Sequence, residues 1–472
     1  MNNLTIKQAL EKLNSKEISA VELTKACLEQ IKKHNDEINA FITVDEKGAL
    51  KQAEKADSER KNGNKAPLLG IPIAVKDIFL TKGLKTTAAS KVLEKYIPQY
   101  DATVVEKLKE AGAVIVGKTN LDAWAHGSSG ENSDFGKTLN PWAKEYVPGG
   151  SSSGSAASLA AGMCLASTGT DTGGSIRLPA SFTNLVGLKP TYGRVSRYGI
   201  IAMASSLDSI GHFTKTVEDS ALLLGITAGK DAMDATTPGR DIPNYTASLE
   251  KNIKGLKIGV PKEYFSMGID KEIKEKTEAA IKKLEELGVE IVEISLPNTE
   301  YAIAAYYIIQ PAEVSSNLAR YDGIRFGNDR SSFGEEAKRR IMLGTFTLSA
   351  GYYGAYYKKA MQVRTLIKQD FDKAFDPSAD GVDAIISPVS PTAAWKIGEK
   401  VNDPMKMYLS DIFTVTANLA GIPGLSIPAG FTSGGLPVGI QILGPQFSEE
   451  KLFQIGDAYE QATEFYKEKP NL

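Results

Sequence analysis

Two glycine- and hydroxyl-rich segments constrain this chain more than any other feature. They are Val147-Pro-Gly-Gly-Ser-Ser-Ser-Gly-Ser-Ala-Ala157 and Gly169-Thr-Asp-Thr-Gly-Gly-Ser-Ile-Arg-Leu-Pro179. Glycine lacks a Cβ, so backbone N–H groups in such runs can turn inward and approach a ligand closely. A surface of this kind suits a developing negative charge. A phosphate cradle is one alternative, but neither segment carries the Gly-Lys-Ser/Thr step of a Walker loop. A flexible linker is another. Against it, Ser158 to Met163 reads as a short apolar helix between the segments, and Ser175-Ile-Arg-Leu-Pro179 ends the second with residues that fix geometry.

Serine becomes a nucleophile only when something takes its proton. Histidine is the usual base, and there are three. His34 lies in a charged amphipathic stretch and reads as solvent-exposed, while His126 and His212 lack a triad setting. A Ser-His-Asp hydrolase is the weaker alternative on these grounds. Lysine can serve instead if it is neutral. Leu68 to Val75 is apolar and β-branched and reads as a buried strand ending at Lys76. A lysine there is either salt-bridged, with Asp77 as the nearest carboxylate, or discharged, because burial penalises the charged form.

The unbroken run from Gly150 to Pro179, together with Gly70-Ile-Pro-Ile-Ala-Val-Lys-Asp77, resembles the amidase signature family. The resemblance implies a serine–cis-serine–lysine triad: Ser175 as nucleophile, Ser151 as the cis-serine and Lys76 as base. Ser153 stands where many members have glycine. In the implied relay Lys76 accepts a proton from Ser151, and Ser151 accepts one from Ser175. The backbone N–H groups of Thr172, Gly173, Gly174 and Ser175 are the natural oxyanion donors, because glycines let consecutive amides converge. Gly173-Gly174 also reads as a tight turn. Asp171 is expected to order the loop by accepting backbone hydrogen bonds, and Arg177 to pair with a carboxylate.

Further runs narrow the resemblance. Gly117-Lys-Thr-Asn120, Gly127-Ser-Ser129, Gly187 to Ser196, Ser315 to Arg325, Lys338-Arg-Arg-Ile-Met-Leu-Gly-Thr345 and Gly434 to Gln441 are similar to the glutaminase subunits of the tRNA-dependent amidotransferases, a branch of that family. That branch acts on free glutamine, whose α-carboxylate and α-ammonium need a guanidinium and a carboxylate to hold them. The resemblance implies Arg340 for the first and Asp411 for the second, with Tyr306, Tyr307 and Ser128 lining the pocket. Each has a plainer alternative: a surface charge for Arg340, a helix N-cap for Asp411, core packing for the tyrosines. The implied ammonia passes to a companion protein, where it amidates Glu-tRNA(Gln) or Asp-tRNA(Asn). The implied partners are therefore the B and C subunits of the amidotransferase, in a heterotrimer that meets misacylated tRNA. ATP and Mg2+ chemistry belongs to the B subunit, and no metal or cofactor is expected in this chain. A free-standing amidase of another small amide is the competing function. Two departures stand out: Leu121-Asp-Ala-Trp-Ala-His126 replaces the commoner Met-Asp-Glu-Phe-Ala-Met, and His212 stands where proline is usual.

Composition agrees with a soluble enzyme. The 472 residues carry a formal net charge of −2, which gives no global pull toward nucleic acid or an anionic membrane. The two cysteines, Cys27 and Cys164, support neither a disulfide framework nor a zinc site. No apolar run reaches the roughly 18 residues of a spanning helix, and the first residues do not read as a signal peptide. A cytoplasmic protein is expected.

Along the chain, Thr5-Ile-Lys-Gln8 and Ser19-Ala-Val-Glu22 read as capping boxes, each opening a helix, and a third helix covers Lys47 to Arg60. Asp101 to Gly112 reads as a capped helix, followed by a strand at Ala113 to Gly117. Strand–helix–strand recurs over Leu256 to Pro261, Asp270 to Gly288 and Val289 to Leu296. Further strands are predicted at Val382 to Ser387, Leu425 to Ala429 and Val438 to Leu443. Long helices are predicted at Glu300 to Leu318, Gly334 to Leu348, Tyr352 to Phe375 and Ser448 to Thr463. This alternation argues α/β. The resemblance implies a central mixed sheet covered on both faces by helices, in a single amidase domain over 1–472 with a helical region at about 1–62. Gly229 to Ala247 is the strongest candidate boundary.

Overall fold

In the computed structural model of this chain, residues 1–266, 268–325 and 327–472 are described. Local chemistry sets the first helices. Thr5 and Ser19 each close a full capping box, starting Ile6–Asn14 and Ala20–Ile38, and Asp45 caps Glu46–Lys61. The second helix buries Cys27, Ile31, His34 and Ile38, spaced three or four residues apart along one stripe. His34 is therefore buried, not solvent-exposed: its position on that stripe outweighs its charged neighbours.

Eleven strands form one sheet among the described residues. They are β1 (Phe41–Val44), β2 (Pro72–Lys76), β3 (Val114–Thr119), β4 (Ala166–Asp171), β5 (Val186–Lys189), β6 (Ser209–Thr214), β7 (Lys257–Pro261), β8 (Glu290–Ile294), β9 (Ala384–Pro388), β10 (Gly424–Phe431) and β11 (Pro437–Leu443). Their spatial order is β1-β3-β2-β4-β6-β5-β10-β11-β9-β7-β8. The sheet is mixed: β2 runs parallel to β3 and β4, β7 runs parallel to β8 and β9, and the central pairs are antiparallel. In β2 through β6 every residue is buried, so both faces are covered. The fold is α/β.

Several boundaries move. The strand before Lys76 starts at Pro72, because the chain turns through Gly70 at φ +82°. The helix after the first signature segment is Ser153–Ala160, five residues earlier than apolarity suggests. Asp101 does not cap its helix, which is Thr103–Glu110; its carboxylate takes Lys109 Nζ and Lys82 N instead. Tyr352 to Tyr356 lie in turns ahead of the helix Tyr357–Ala374. The sheet passes unbroken from β5 to β10, so the strands before and after the 229–247 loop share one core. Gly112 to Thr119 spells the spacing of a phosphate loop, but residues 114–119 form β3 and Lys118 is buried against Asp77 at 3.2 Å.

Candidate active site

Lys76 is the last residue of β2, and its side chain has no exposed surface. Its Nζ is within hydrogen-bond distance of three hydroxyls: Ser151 Oγ at 3.0 Å, Ser152 Oγ at 2.8 Å and Thr170 Oγ1 at 2.8 Å. No carboxylate forms an ion pair with it among the described residues. Asp77, the partner a salt-bridged reading requires, pairs with Lys118 instead. Burial lowers the Lys76 ammonium to a pKa of about 7, against smaller upward pulls from Asp122, Asp171 and Asp208. Near neutrality the amine therefore has a large free-base fraction.

The first signature segment delivers Ser151 to this amine. The Gly150–Ser151 peptide bond is cis. A buried loop holds it: Asp122 N donates to Ser151 O at 3.1 Å, while the Asp122 carboxylate accepts from Gly130 N and Asn132 N at 3.0 Å. A side chain at Gly150 would collide with that carboxylate. Burial raises the Asp122 carboxyl to a pKa of about 7.

The second segment delivers Ser175. Ser152 N donates to Ser175 O at 3.3 Å, which joins the two segments. The Ser151 and Ser175 hydroxyls form no direct hydrogen bond with each other. None of the N–H groups of Thr172, Gly173, Gly174 and Ser175 donates to a protein acceptor among the described residues. Four consecutive N–H groups are thus left without a protein acceptor. Gly174 has φ +139°, and a side chain there would run into Thr414 Oγ1. A Cβ on Gly173 would lie 2.6 Å from Tyr306 Oη. Behind the loop, Asp171 Oδ2 accepts from Ile176 N and Arg177 N, and Asp171 Oδ1 takes Arg177 Nη2 at 3.0 Å. Burial pushes the Asp171 carboxyl up, but the Arg177 guanidinium more than reverses this, to about 2. Asp171 and Arg177 thus meet the roles expected of them.

A second polar cluster surrounds Asp411 and Arg340. Asp411 accepts from Ser128 Oγ at 2.9 Å on both oxygens and from Tyr307 Oη at 2.9 Å. Its carboxylate is therefore not a helix cap, and burial raises it to a pKa of about 6. Thr414 Oγ1 links this cluster to the loop, donating to Gly173 O at 2.6 Å. Arg340 is buried, not a surface charge; its guanidinium lies over the Tyr307 ring at 5.5 Å and the Tyr408 ring at 5.9 Å. Tyr307 stacks on Tyr408 at 3.7 Å, and Tyr306 meets Tyr307 edge-on at 5.0 Å. Both tyrosines are thus packed by aromatic contacts.

Ser152 and Thr170 complete the Lys76 environment and were not singled out from sequence. Ser152 also sits at the centre of Gly150-Ser-Ser-Ser-Gly154, the spacing of a nucleophile elbow. Its hydroxyl is occupied by Lys76 and by Thr170 O at 3.3 Å. The alternation of hydroxyls in Gly169-Thr-Asp-Thr was the available signal for Thr170: period two places residues 168 and 170 on one face of β4, and Thr168 Oγ1 accepts from Lys76 N at 3.0 Å. His212 is not near a serine nucleophile; its Nε2 meets Ser220 Oγ at 2.8 Å. A surface cleft of about 370 Å³ lined by Trp142, Lys215 and Lys469 contains none of the residues above.

Comparison with known proteins identifies the family. A family model described as Amidase matches residues 22–453. The chain is 54% identical to a protein of Desulfatibacillum aliphaticivorans named as the A subunit of glutamyl-tRNA(Gln) amidotransferase, covering 100% of both. It is 55% identical to the protein of the same name from Carboxydothermus hydrogenoformans, covering 99% of both. Among solved structures, the A subunit of glutamyl-tRNA(Gln) amidotransferase from Thermotoga maritima aligns with TM-score 0.84 and 46% identity, over 98% of this chain and 95% of that one. The peptide amidase of Stenotrophomonas maltophilia aligns with TM-score 0.84 and 32% identity, over 99% and 98%.

Proposed function

This chain belongs to the amidase family, and on that premise we propose that it is the glutamine-hydrolysing subunit of a tRNA-dependent amidotransferase. Full-length relatives above half identity are named as the A subunit of glutamyl-tRNA(Gln) amidotransferase. The observation that carries the substrate is the pair of charges meeting at Tyr307: Asp411 on its hydroxyl and Arg340 over its ring. A free α-amino acid has an ammonium and a carboxylate to match them.

The chemistry follows from the buried amine. Free-base Lys76 takes the Ser151 proton as Ser151 takes that of Ser175, and Ser175 Oγ attacks the side-chain amide carbon of glutamine. The charge that develops on the amide oxygen meets the unpaired N–H groups of residues 172–175. The relay then runs backward, protonating the nitrogen as the C–N bond breaks. Ammonia leaves and an acyl-enzyme remains. Water then gives a proton to Ser151, which passes one to Lys76, and adds to the ester carbon; the relay returns the proton to Ser175 Oγ as that bond breaks and glutamate leaves.

The ammonia serves the companion B subunit, which with ATP and Mg2+ activates Glu-tRNA(Gln) or Asp-tRNA(Asn); with the C subunit the three form a cytoplasmic heterotrimer. Among the described residues no group of three His, Cys, Asp or Glu side chains is suited to a metal, and no described helix is long and apolar enough to cross a membrane. Exposed Met342, Leu343, Phe346, Tyr352 and Tyr356 gather around Glu335–Leu348 and the following turn, the kind of apolar surface a partner covers. The test is glutaminase activity of the chain alone and with its companions, beside Ser175→Ala. Glutamine hydrolysis that drives tRNA amidation in the complex is expected. Turnover of other small amides but not glutamine would instead make this a free-standing amidase.

A further inference from the structure

Arg340 sits in the helix Glu335–Leu348 with two of its nitrogens engaged by protein. Nε donates to Glu336 Oε1 and Nη1 to Gln310 Oε1, both at 2.8 Å. Nη2 donates to no protein acceptor among the described residues. Two more side chains here have buried nitrogens without partners. Gln310 has no exposed surface, yet its Nε2 meets no acceptor. His126 is equally buried, and both ring nitrogens are unpartnered. Burial and the charge of Arg340 together hold the imidazole neutral, so it carries one N–H and one lone pair. Buried polar groups are nearly always satisfied, and an orphan is costly.

Both residues enter from segments that already build this cluster. Gln310 lies three and four residues after Tyr307 and Tyr306 in the helix Ala302–Leu318, hence on the same face. His126 precedes by two residues Ser128, whose hydroxyl holds Asp411. Three donors here lack an acceptor, Arg340 Nη2, Gln310 Nε2 and the His126 N–H; Gln310 Oε1 bonds Arg340 Nη1, and the His126 ring is close enough to feel the Arg340 charge. An acceptor with several lone pairs and a negative charge would satisfy all three. His126 also closes the stretch that departs from the family's commoner sequence, where methionine offers no N–H.

We propose that His126 and Gln310 are further substrate-binding residues, forming with Arg340 a three-donor cradle for the α-carboxylate of glutamine. This rests on the reading of Arg340 as the carboxylate site. His126→Met removes one donor. Gln310→Glu keeps an acceptor for Arg340 Nη1 but replaces the Nε2 donor by an anionic oxygen. In the complex with its companion subunits, KM and kcat are measured for glutamine and for 4-aminobutanamide, which is glutamine without its α-carboxylate. KM for glutamine should rise about tenfold in His126→Met and about a hundredfold in Gln310→Glu, the range for hydrogen bonds to a charged group. In both variants kcat should stay within about twofold, the same range then acting on binding alone. Kinetics on 4-aminobutanamide should not change. An equal loss on both substrates, or no change in KM for glutamine, would overturn the cradle. If Arg340→Ala alone raises KM for glutamine, the cradle falls while the carboxylate site stands. Absence of glutamine turnover in the unsubstituted complex contradicts both.

Discussion

Two cations, Lys76 and Arg177, flank the same glycine loop, and neither has exposed surface. Arg177 is fully matched: Asp171 takes Nε and Nη2, Gln441 Oε1 takes Nη1, and Asn418 Oδ1 and Thr414 O take Nη2, all at 2.8–3.1 Å. Its charge is kept, and it ties the loop to the C-terminal strands. Lys76 has only neutral hydroxyls around it, and its charge is discouraged. A buried charge survives where a carboxylate and several hydrogen bonds compensate it. Without the carboxylate, burial turns an amine into a base. Arg177 holds the loop still, and the Lys76 amine is free to take a proton through it.

Substitutions can break this contrast in opposite directions. Ser175→Ala should lower glutamine turnover by at least about 10⁴-fold, since loss of a serine nucleophile elsewhere costs about 10⁶. Its thermal midpoint should not move. Lys76→Met should cost activity on a similar scale while leaving stability unchanged or raised, because an amine held in an apolar setting is replaced by an apolar chain. Arg177→Ala should do the reverse of a clean catalytic loss: it strands Asp171 and should destabilise the fold by about 3–5 kcal/mol in denaturant unfolding. Equal stability losses in the lysine and arginine variants would erase the distinction. Gly174→Ala should lower kcat by about 10²–10³-fold, the effect of losing one oxyanion donor, because its Cβ runs into Thr414 Oγ1.

Legibility in the sequence followed how local the determining physics was. The capping boxes at Thr5 and Ser19 and the caps at Asp45 and Asp270 place helices to within a residue or two, because their hydrogen bonds span two or three positions. The strands β4, β5 and β6 were not legible. Ala166–Asp171, Val186–Lys189 and Ser209–Thr214 are buried on both faces, so they show no alternation, and glycines interrupt them. The residues expected at the site were named through family resemblance; the structure joins Lys76 to Ser151, ties Ser175 to that segment through Ser152 N, and joins Ser128, Tyr307, Asp411 and Arg340 to one another. What no spacing could supply is the choice between Asp77 and hydroxyls as partners of Lys76. That choice depends on Lys118, which arrives on the neighbouring strand β3 and claims the carboxylate. His34 failed for a related reason: its exposure is decided by what packs on the stripe, not by neighbours in sequence.

The central claim concerns the protonation of one amine. The pH dependence of kcat/KM for glutamine tests it most directly. With Lys76 protonated the relay has no acceptor, so activity should rise with pH through about 7 and level off above it. The residual activity of Lys76→Met should lack that limb. A limb near 10, or a profile flat across the neutral range, would mean that Lys76 is not a discharged base, and the contrast with Arg177 would fail.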